Sequence, residues 1–392
     1  VSTHARLSAS AASRWMNCSG SVKLSEGQPN PPTIHSATGT VAHHMAAHCL
    51  EKDTAPSDIL GQVYDEDGFK ITVDQEMVDA VNLYISEIEA DAQPGDGTWV
   101  EMPLLDALAK IDPDFGGTAD YVRYRPSAKH LRVMDFKYGA GTYVEADDNK
   151  QLKIYALGAV LQVAKPVTEV EVVIVQPRFE GARPVRSWSF KASGILDFVA
   201  DLQEAAEKTR LPGPPLAAGD WCGFCPAKRI CPEITKKRNA ILAAEFGEVV
   251  NHAELATLLA AVPQVKAQIK AIEELAYREA TAGREIPGFK LVDKRATRKW
   301  KDGEKGALIE WAQTNAIDPY EKPELKSPAA LEKELAKDAP RGKKKEIGKV
   351  LEPFVEKVSS GYALVPASDD RPAVKQISIN DFAVVDGAAE TQ

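Results

Sequence analysis

Three short motifs in this chain combine residue types that can hold a divalent cation next to a phosphate. They are Gly116-Gly117-Thr118-Ala119-Asp120, Asp135-Phe136-Lys137 and Gln151-Leu152-Lys153-Ile154-Tyr155. Asp135 and Lys137 stand at i and i+2 of an expected strand, so they point to one face. Asp120 lies fifteen residues before Asp135. A short turn between two strands would bring both carboxylates to one ion. Two carboxylate oxygens, several waters and a substrate phosphate make the ligand set that Mg²⁺ prefers. Such an ion lowers the pKa of a bound water and stabilises charge on a phosphodiester. Lys137 beside it would orient or help deprotonate that water and hold the phosphate. Gly116 and Gly117 would permit close backbone approach. Gln151 and Tyr155, at i and i+4, share a helix face that can line the same cleft and contact DNA. The combination carries the weight. An Asp-x-Lys triplet alone is usually a solvated strand face, and Asp120 alone reads as a turn cap.

A second constellation is Cys222-x2-Cys225-x5-Cys231-Pro232, with Cys18 far upstream as the natural fourth ligand. Four thiolates hold either a [4Fe–4S] cluster or a tetrahedral Zn²⁺. Clustered cysteines without a secretion signal favour metal over disulfide. Cys49 has no partner in this scheme and reads as a buried core thiol. His44 and His48, at i and i+4, form a small candidate metal pair, with plain helix histidines the simpler reading. Glu101 is expected to be structural, or a carboxylate behind the ligands.

The elements that must position these groups follow from periodicity. Helices are expected around Ala11–Cys18, over Val41–Glu51 and over Asp74–Ala90, where Met77, Val81, Tyr84, Ile85 and Ile88 recur at helical spacing. A loop is expected over Thr54–Gly68. Strands are expected over Thr98–Leu104, Thr118–Tyr124 and Leu131–Lys137, the last two joined by a turn at residues 125–130. A helix over Asp148–Val163, a buried strand over Val167–Gln176, an edge strand over Ser187–Lys191 and a helix over Gly194–Arg210 complete an α/β pattern with a mixed sheet. Leu211-Pro-Gly-Pro-Pro215 breaks the chain before the cysteines. The expected division is a first domain over 1–240, a mainly helical accessory domain over 241–383 and a loose tail over 384–392. The accessory region should carry a helix over Ala253–Gly283, an arm over Gly288–Trp300 and short helices over Ala307–Ala316 and Ser327–Ala336. Its basic run Lys294–Lys301, with Trp300, is a candidate DNA contact or a solvated face.

Composition bounds the possibilities. The chain has 392 residues, 27% charged and 44% hydrophobic, with a formal net charge of −9. That excludes a broadly basic nucleic-acid coat, but not a local groove. Val1 to Arg14 has no apolar signal core and no run approaches the ~20 apolar residues of a membrane helix, so a cytoplasmic protein off the membrane is expected.

The order and setting of the three motifs resemble the PD-(D/E)XK nucleases, in their RecB/AddB-like exonuclease branch. That branch carries Gly-x-x-Asp, Asp-x-Lys and Gln-x-x-x-Tyr, matched by Gly117–Asp120, Asp135–Lys137 and Gln151–Tyr155. It also carries an upstream glycine–histidine helix motif, matched by Gly39-Thr40-Val41-Ala42-His43. The resemblance implies a restriction-endonuclease-like core and a Mg²⁺- or Mn²⁺-dependent DNA exonuclease. It also implies that His43 and the backbone carbonyl of Phe136 join Asp120 and Asp135 as ligands. Two departures stand out: Ala119 replaces the proline of the motif name, and His44 stands where an acidic residue is frequent. AddB-like nucleases place one cysteine before the motifs and three after, which implies an iron–sulfur staple through Cys18, Cys222, Cys225 and Cys231. Ser8–Cys18, the cysteine loop, Pro287–Val292 and Asp370-Arg371-Pro372 are similar to a phage and prophage family, domain of unknown function 2800, over nearly the whole chain. That adds a role in phage recombination or replication inside a bacterial host. It also implies linear double-stranded DNA ends as substrate, a single-strand annealing or binding protein as partner, and a homo-oligomer. The competing class is a non-catalytic DNA-binding or scaffold protein that keeps the fold and a four-cysteine iron–sulfur or zinc site. An electron carrier is a third class, with no flavin or nicotinamide motif behind it.

Overall fold

The computed structural model describes residues 5–244 and 251–289. The chain opens with a two-residue strand β1 (Leu7–Ser8) and short helices α1 (Ala12–Asn17) and α2 (Gly20–Ser25). A long helix α3 (Ile34–Lys52), a hairpin β2 (Val63–Glu66) and β3 (Phe69–Thr72), and helix α4 (Gln75–Glu89) follow. Then come β4 (Gly97–Pro103), α5 (Leu105–Leu108), β5 (Phe115–Gly116), β6 (Thr118–Arg125), β7 (His130–Phe136), α6 (Lys150–Val163), β8 (Glu169–Val175), β9 (Val185–Lys191) and α7 (Gly194–Thr209). Two 3₁₀ turns, Asp220–Phe224 and Pro226–Arg229, carry the cysteine loop into α8 (Pro232–Ala243) and α9 (His252–Thr281).

The main sheet has the order β4-β6-β7-β8-β9. Only β7 and β8 run parallel, with α6 as their crossover, so the sheet is mixed as expected. Helices cover both faces. Leu131, Val133, Val170, Val172 and Ile174 face α6, α7 and the N-terminal segment, while Met134, Phe136, Val173 and Val175 face α3 and α4. Strand β7 is therefore buried from Leu131 to Phe136, Arg132 and Asp135 included.

Local signals set the boundaries. Asp74 caps α4 by accepting from Met77 N at 2.9 Å, and Asn149 caps α6 by accepting from Leu152 N at 3.1 Å. The α6 cap matters for the site, because it fixes where Gln151 leaves the first turn. Two expectations are corrected. Helix α3 starts at Ile34 rather than Val41, because Thr33 and Ser36 form a reciprocal capping box. The Thr54–Gly68 loop contains strand β2. Asp67 and Gly68 take φ of 54° and 80°, the two-residue turn that joins Glu66 to its partner Phe69.

Helix α8 runs unbroken across residue 240, the expected domain boundary. The described residues all belong to one packing unit. The arm beyond Phe289, its basic run, the helices over Ala307–Ala316 and Ser327–Ala336, and the tail lie outside the described residues. Among the described residues, no helix is long and apolar enough to cross a membrane.

Candidate active site

Sheet register brings the acidic residues together. Val100 pairs with Tyr121 and Met102 with Ala119, so Glu101 stands opposite Asp120. Tyr121 pairs with Met134, and one step further Asp120 stands opposite Asp135. Three carboxylates thus form a row across β4, β6 and β7. Helix α3 adds His43, whose Nδ1 lies 3.4 Å from Asp120 Oδ2. Ligand atoms of His43, Glu101 and Asp120 all fall within 4.8 Å of one another. The backbone N–H of Phe136 donates to Asp120 Oδ2 at 2.7 Å. The Phe136 ring is fully buried, stacked on Tyr84 at 4.9 Å and tilted against His43 at 5.5 Å.

Asp135 is held on the opposite flank of Asp120. Its Oδ1 accepts from Lys137 Nζ and from Gln151 Nε2, both at 3.1 Å. Lys137 Nζ also reaches Gln151 Oε1 at 3.2 Å, so one amide braces both catalytic candidates. Gln151 Nε2 in turn donates to the Tyr155 hydroxyl at 2.9 Å. The sequence expectation gave Tyr155 a DNA contact. Its ring is buried beneath the site, and its hydroxyl serves Gln151. The glycines also have a different task. A Cβ at Gly117 would sit 2.8 Å from Tyr155 Cε1, and one at Gly116 would sit 2.7 Å from Ala5 Cβ. Their openness is filled by the protein's own side chains, not by a ligand.

The electrostatics are those of a site short of positive charge. Burial pushes Asp135 up, and the Asp120 charge adds to that against the pull of Lys137. Burial also raises Asp120, but His43, Lys137 and the Phe136 N–H outweigh it and leave its carboxyl below the ordinary value. Burial lowers His43 and Lys137, yet the facing carboxylates overcome it and raise both. Crowding by surrounding protein, then the Asp120 charge, takes Glu101 up to about 7, although part of its surface is open to solvent. Glu101 also takes φ of 49° within an otherwise extended strand. That left-handed conformation costs about 1–2 kcal/mol for a side chain with a Cβ. Its cost is met where the surrounding structure over-determines it, typically at a site. Two buried oxygens converge there without a hydrogen-bond partner: the Tyr84 hydroxyl and Asp135 Oδ2. Oδ2 lies 2.8 Å from Lys137 Nζ, but the approach is too poorly aligned to count as a hydrogen bond, so charge alone compensates it. A hydrated divalent cation would supply what these groups lack, and the donor set of carboxylates and one imidazole would suit Mg²⁺ or Mn²⁺. Sequence reasoning had no signal for Tyr84 in this role, because its spacing on α4 marks it only as core.

His44 and His48 lie on α3, and among the described residues neither joins a group of three metal-ligating side chains. Cys49 is buried between α3 and α4, as a core thiol should be.

The other four cysteines are all buried and free of disulfides. They come from α1's end and the 3₁₀ turns, and they are near enough that charge on Cys18, Cys225 and Cys231 would raise Cys222, behind burial as the main cause. The sulfurs meet donors. Ala217 N points to Cys18 Sγ at 3.3 Å and Gly219 N to Cys222 Sγ at 3.4 Å. The N–H groups of Glu233 and Ile234 serve Cys231, and Ser25 Oγ lies 3.9 Å from Cys225 Sγ. No three of these sulfurs lie within 4.8 Å of one another. A zinc ion with Zn–S of about 2.3 Å would hold them about 3.8 Å apart.

Residues 4–372, nearly the full length, match the family described as "Protein of unknown function (DUF2800)". The chain belongs to that family.

Proposed function

We propose that this protein is a Mg²⁺- or Mn²⁺-dependent deoxyribonuclease of the PD-(D/E)XK type, acting as an exonuclease on linear DNA ends. The observation that carries the reading is the row Glu101–Asp120–Asp135 across three strands, with Lys137 bonded to Asp135 and His43 to Asp120. The order of α4, β4, β6, β7, α6 and β8 supports the same core. His43, Asp120, Asp135 and Glu101 would hold the cation, with the Phe136 carbonyl completing the set by resemblance. The bound ion lowers the pKa of water and neutralises charge on the phosphate. The protein's own part is to position. Lys137, about a quarter exposed and kept charged by Asp135, would orient the attacking water and hold the phosphate as an ammonium. Gln151 locks Lys137 and Asp135 in one arrangement, and Tyr155 locks Gln151.

We further propose that Cys18, Cys222, Cys225 and Cys231 hold a [4Fe–4S] cluster rather than zinc. The amide donors aimed at the sulfurs support that choice. Phage recombination or replication inside a bacterial host, a single-strand annealing or binding partner, and a homo-oligomer complete the reading by resemblance.

The test is degradation of linear duplex DNA labelled at either end, by anaerobically purified protein with Mg²⁺, Mn²⁺ or EDTA. Metal-dependent loss by the wild type, reduced at least about 100-fold in Lys137→Ala, is the expected result and gives the polarity. Intact DNA that is nonetheless bound would make the protein a non-catalytic DNA-binding module.

A further inference from the structure

Two loops leave the site at the carboxyl ends of β7 and β8. The first, residues 138–149, runs from Lys137 to the cap of α6, and so connects the two elements that bear Lys137 and Gln151. The second, residues 176–184, joins β8 to β9. One buried side chain fastens them together. Gln176, 1% exposed, donates through Nε2 to Gly139 O at 3.0 Å and Thr142 O at 2.7 Å. Its Oε1 accepts from Val144 N at 3.2 Å and from Arg186 Nη2 at 2.7 Å. Arg186 closes the clasp by donating to Val144 O at 2.8 Å.

The loops so fixed present two aromatic rings. Tyr143 and Phe179 lie 5.4 Å apart, tilted by 57°. Arg186 packs against the Tyr143 ring at 4.7 Å. Tyr143 is 42% exposed, its hydroxyl donating to Glu145 Oε2 at 2.7 Å, and Phe179 is half-buried. Rigid backbone, solvent-facing aromatic surface and a guanidinium behind it are what an unpaired base needs for stacking. A paired base at a duplex flank offers only its edge and its backbone. Tyr143 lies on the loop that links Lys137 to the cap of α6, at most about 20 Å of extended chain from Lys137.

We infer that Tyr143 and Phe179 form a stacking platform for an unpaired nucleotide next to the scissile phosphate, so that DNA enters this site as a single strand. The inference rests on the nuclease reading for its location, and on the clasp and rings for its chemistry. A blunt duplex is then a substrate only after its terminal pair opens.

The test is fluorescence anisotropy with full-length protein in EDTA, using a labelled oligothymidylate and a blunt duplex of equal length. Tighter binding of the single strand is expected. Tyr143→Ala and Phe179→Ala should each weaken it about tenfold, and Tyr143→Trp should retain it. With Mn²⁺, wild type should cut a duplex with a mismatched end faster than a blunt one, and Tyr143→Ala should lose that preference. Single-strand binding within twofold of wild type in both alanine variants overturns the platform, whether or not DNA is cut. So does a wild type that binds no single strand, an outcome that hands the rings to a protein partner. If ring loss weakens binding but wild type with Mn²⁺ leaves DNA intact, the platform stands and the nuclease reading falls.

Discussion

The carboxylate site and the cysteine site are built in opposite ways. The first is made by a sheet. Register alone sets Glu101, Asp120 and Asp135 in a row, and Lys137, Gln151, His43 and the Phe136 N–H give the carboxylates protein partners. The second is made by chain segments far apart in sequence. The segment around Cys18 meets the stretch leading into the 222–231 loop through Ala217 N to Cys18 Sγ at 3.3 Å, Gly20 N to Pro215 O at 2.8 Å and Lys23 Nζ to Pro212 O at 3.1 Å. A Cβ at Gly20 would fall 2.6 Å from Pro214 O, so this crossing also depends on a missing side chain. The carboxylate site keeps its shape through the fold. The cysteine site has buried thiols with a few amide donors, and under the proposed reading a bound cluster would add to the contacts that hold its segments together.

Four measurements break or sharpen that contrast. Cys222→Ser should cost the most, on the order of 5 kcal/mol or more, given the roughly 10–16 kcal/mol that structural metal sites supply. Thermal unfolding read alongside iron and zinc content checks it, and a full-length variant as stable as wild type would erase the distinction. At the carboxylate site the largest structural effect should come from Gly117→Ala. It drives a methyl into the Tyr155 ring and should cost about 1–3 kcal/mol in urea unfolding, with a loss of cleavage as Gln151 shifts. Asp96 stands in the turn just before β4, bonded to Arg125 of β6 at 2.9 Å and 3.1 Å. Arg125 holds its carboxyl below the ordinary value. Its contribution is therefore complete above that ordinary value and lost as pH falls through the depressed one. Asp96→Asn should cost about 1–2 kcal/mol at pH 7 and much less near pH 3, by denaturation at both. Smallest of all, Asp135→Asn should leave stability at neutral pH within about 1 kcal/mol of wild type, or slightly higher. Burial and the Asp120 charge already disfavour the ionised form, so neutralising it removes a cost.

The sheet was legible because its information is local. Alternating and apolar runs marked β4, β6, β7 and β8 to within one or two residues, and constant register then carried Asp120 to Asp135. What escaped was long-range or needed atomic detail. Nothing near Leu7 announces that it pairs in parallel with Phe115, directly before the glycines of the first motif. Gly116 and Gly117 looked like room for a ligand because sequence shows a missing Cβ, not what occupies its place. Tyr155 looked available because helical spacing gives a face but not its depth. Glu101 reads from its strand pattern as structural or as a carboxylate behind the ligands, and that pattern cannot reveal its positive φ. Two misses were avoidable. The Asp67-Gly68 pair is a strong hairpin signal, and Thr33 with Ser36 is a helix start.

The crossing between Cys18 and the later loop also sets a timetable during synthesis. Cys222 follows Cys18 by 204 residues. At roughly 5–20 residues per second, translation takes about 10–40 s to cover that gap. Until then, Cys18 has no site to join, and the Leu7–Ser8 strand must wait for Phe115. The segment around Cys18 therefore leaves the ribosome early and settles late. For that interval its thiol is open to oxidants and metals, from which burial shields it in the finished fold.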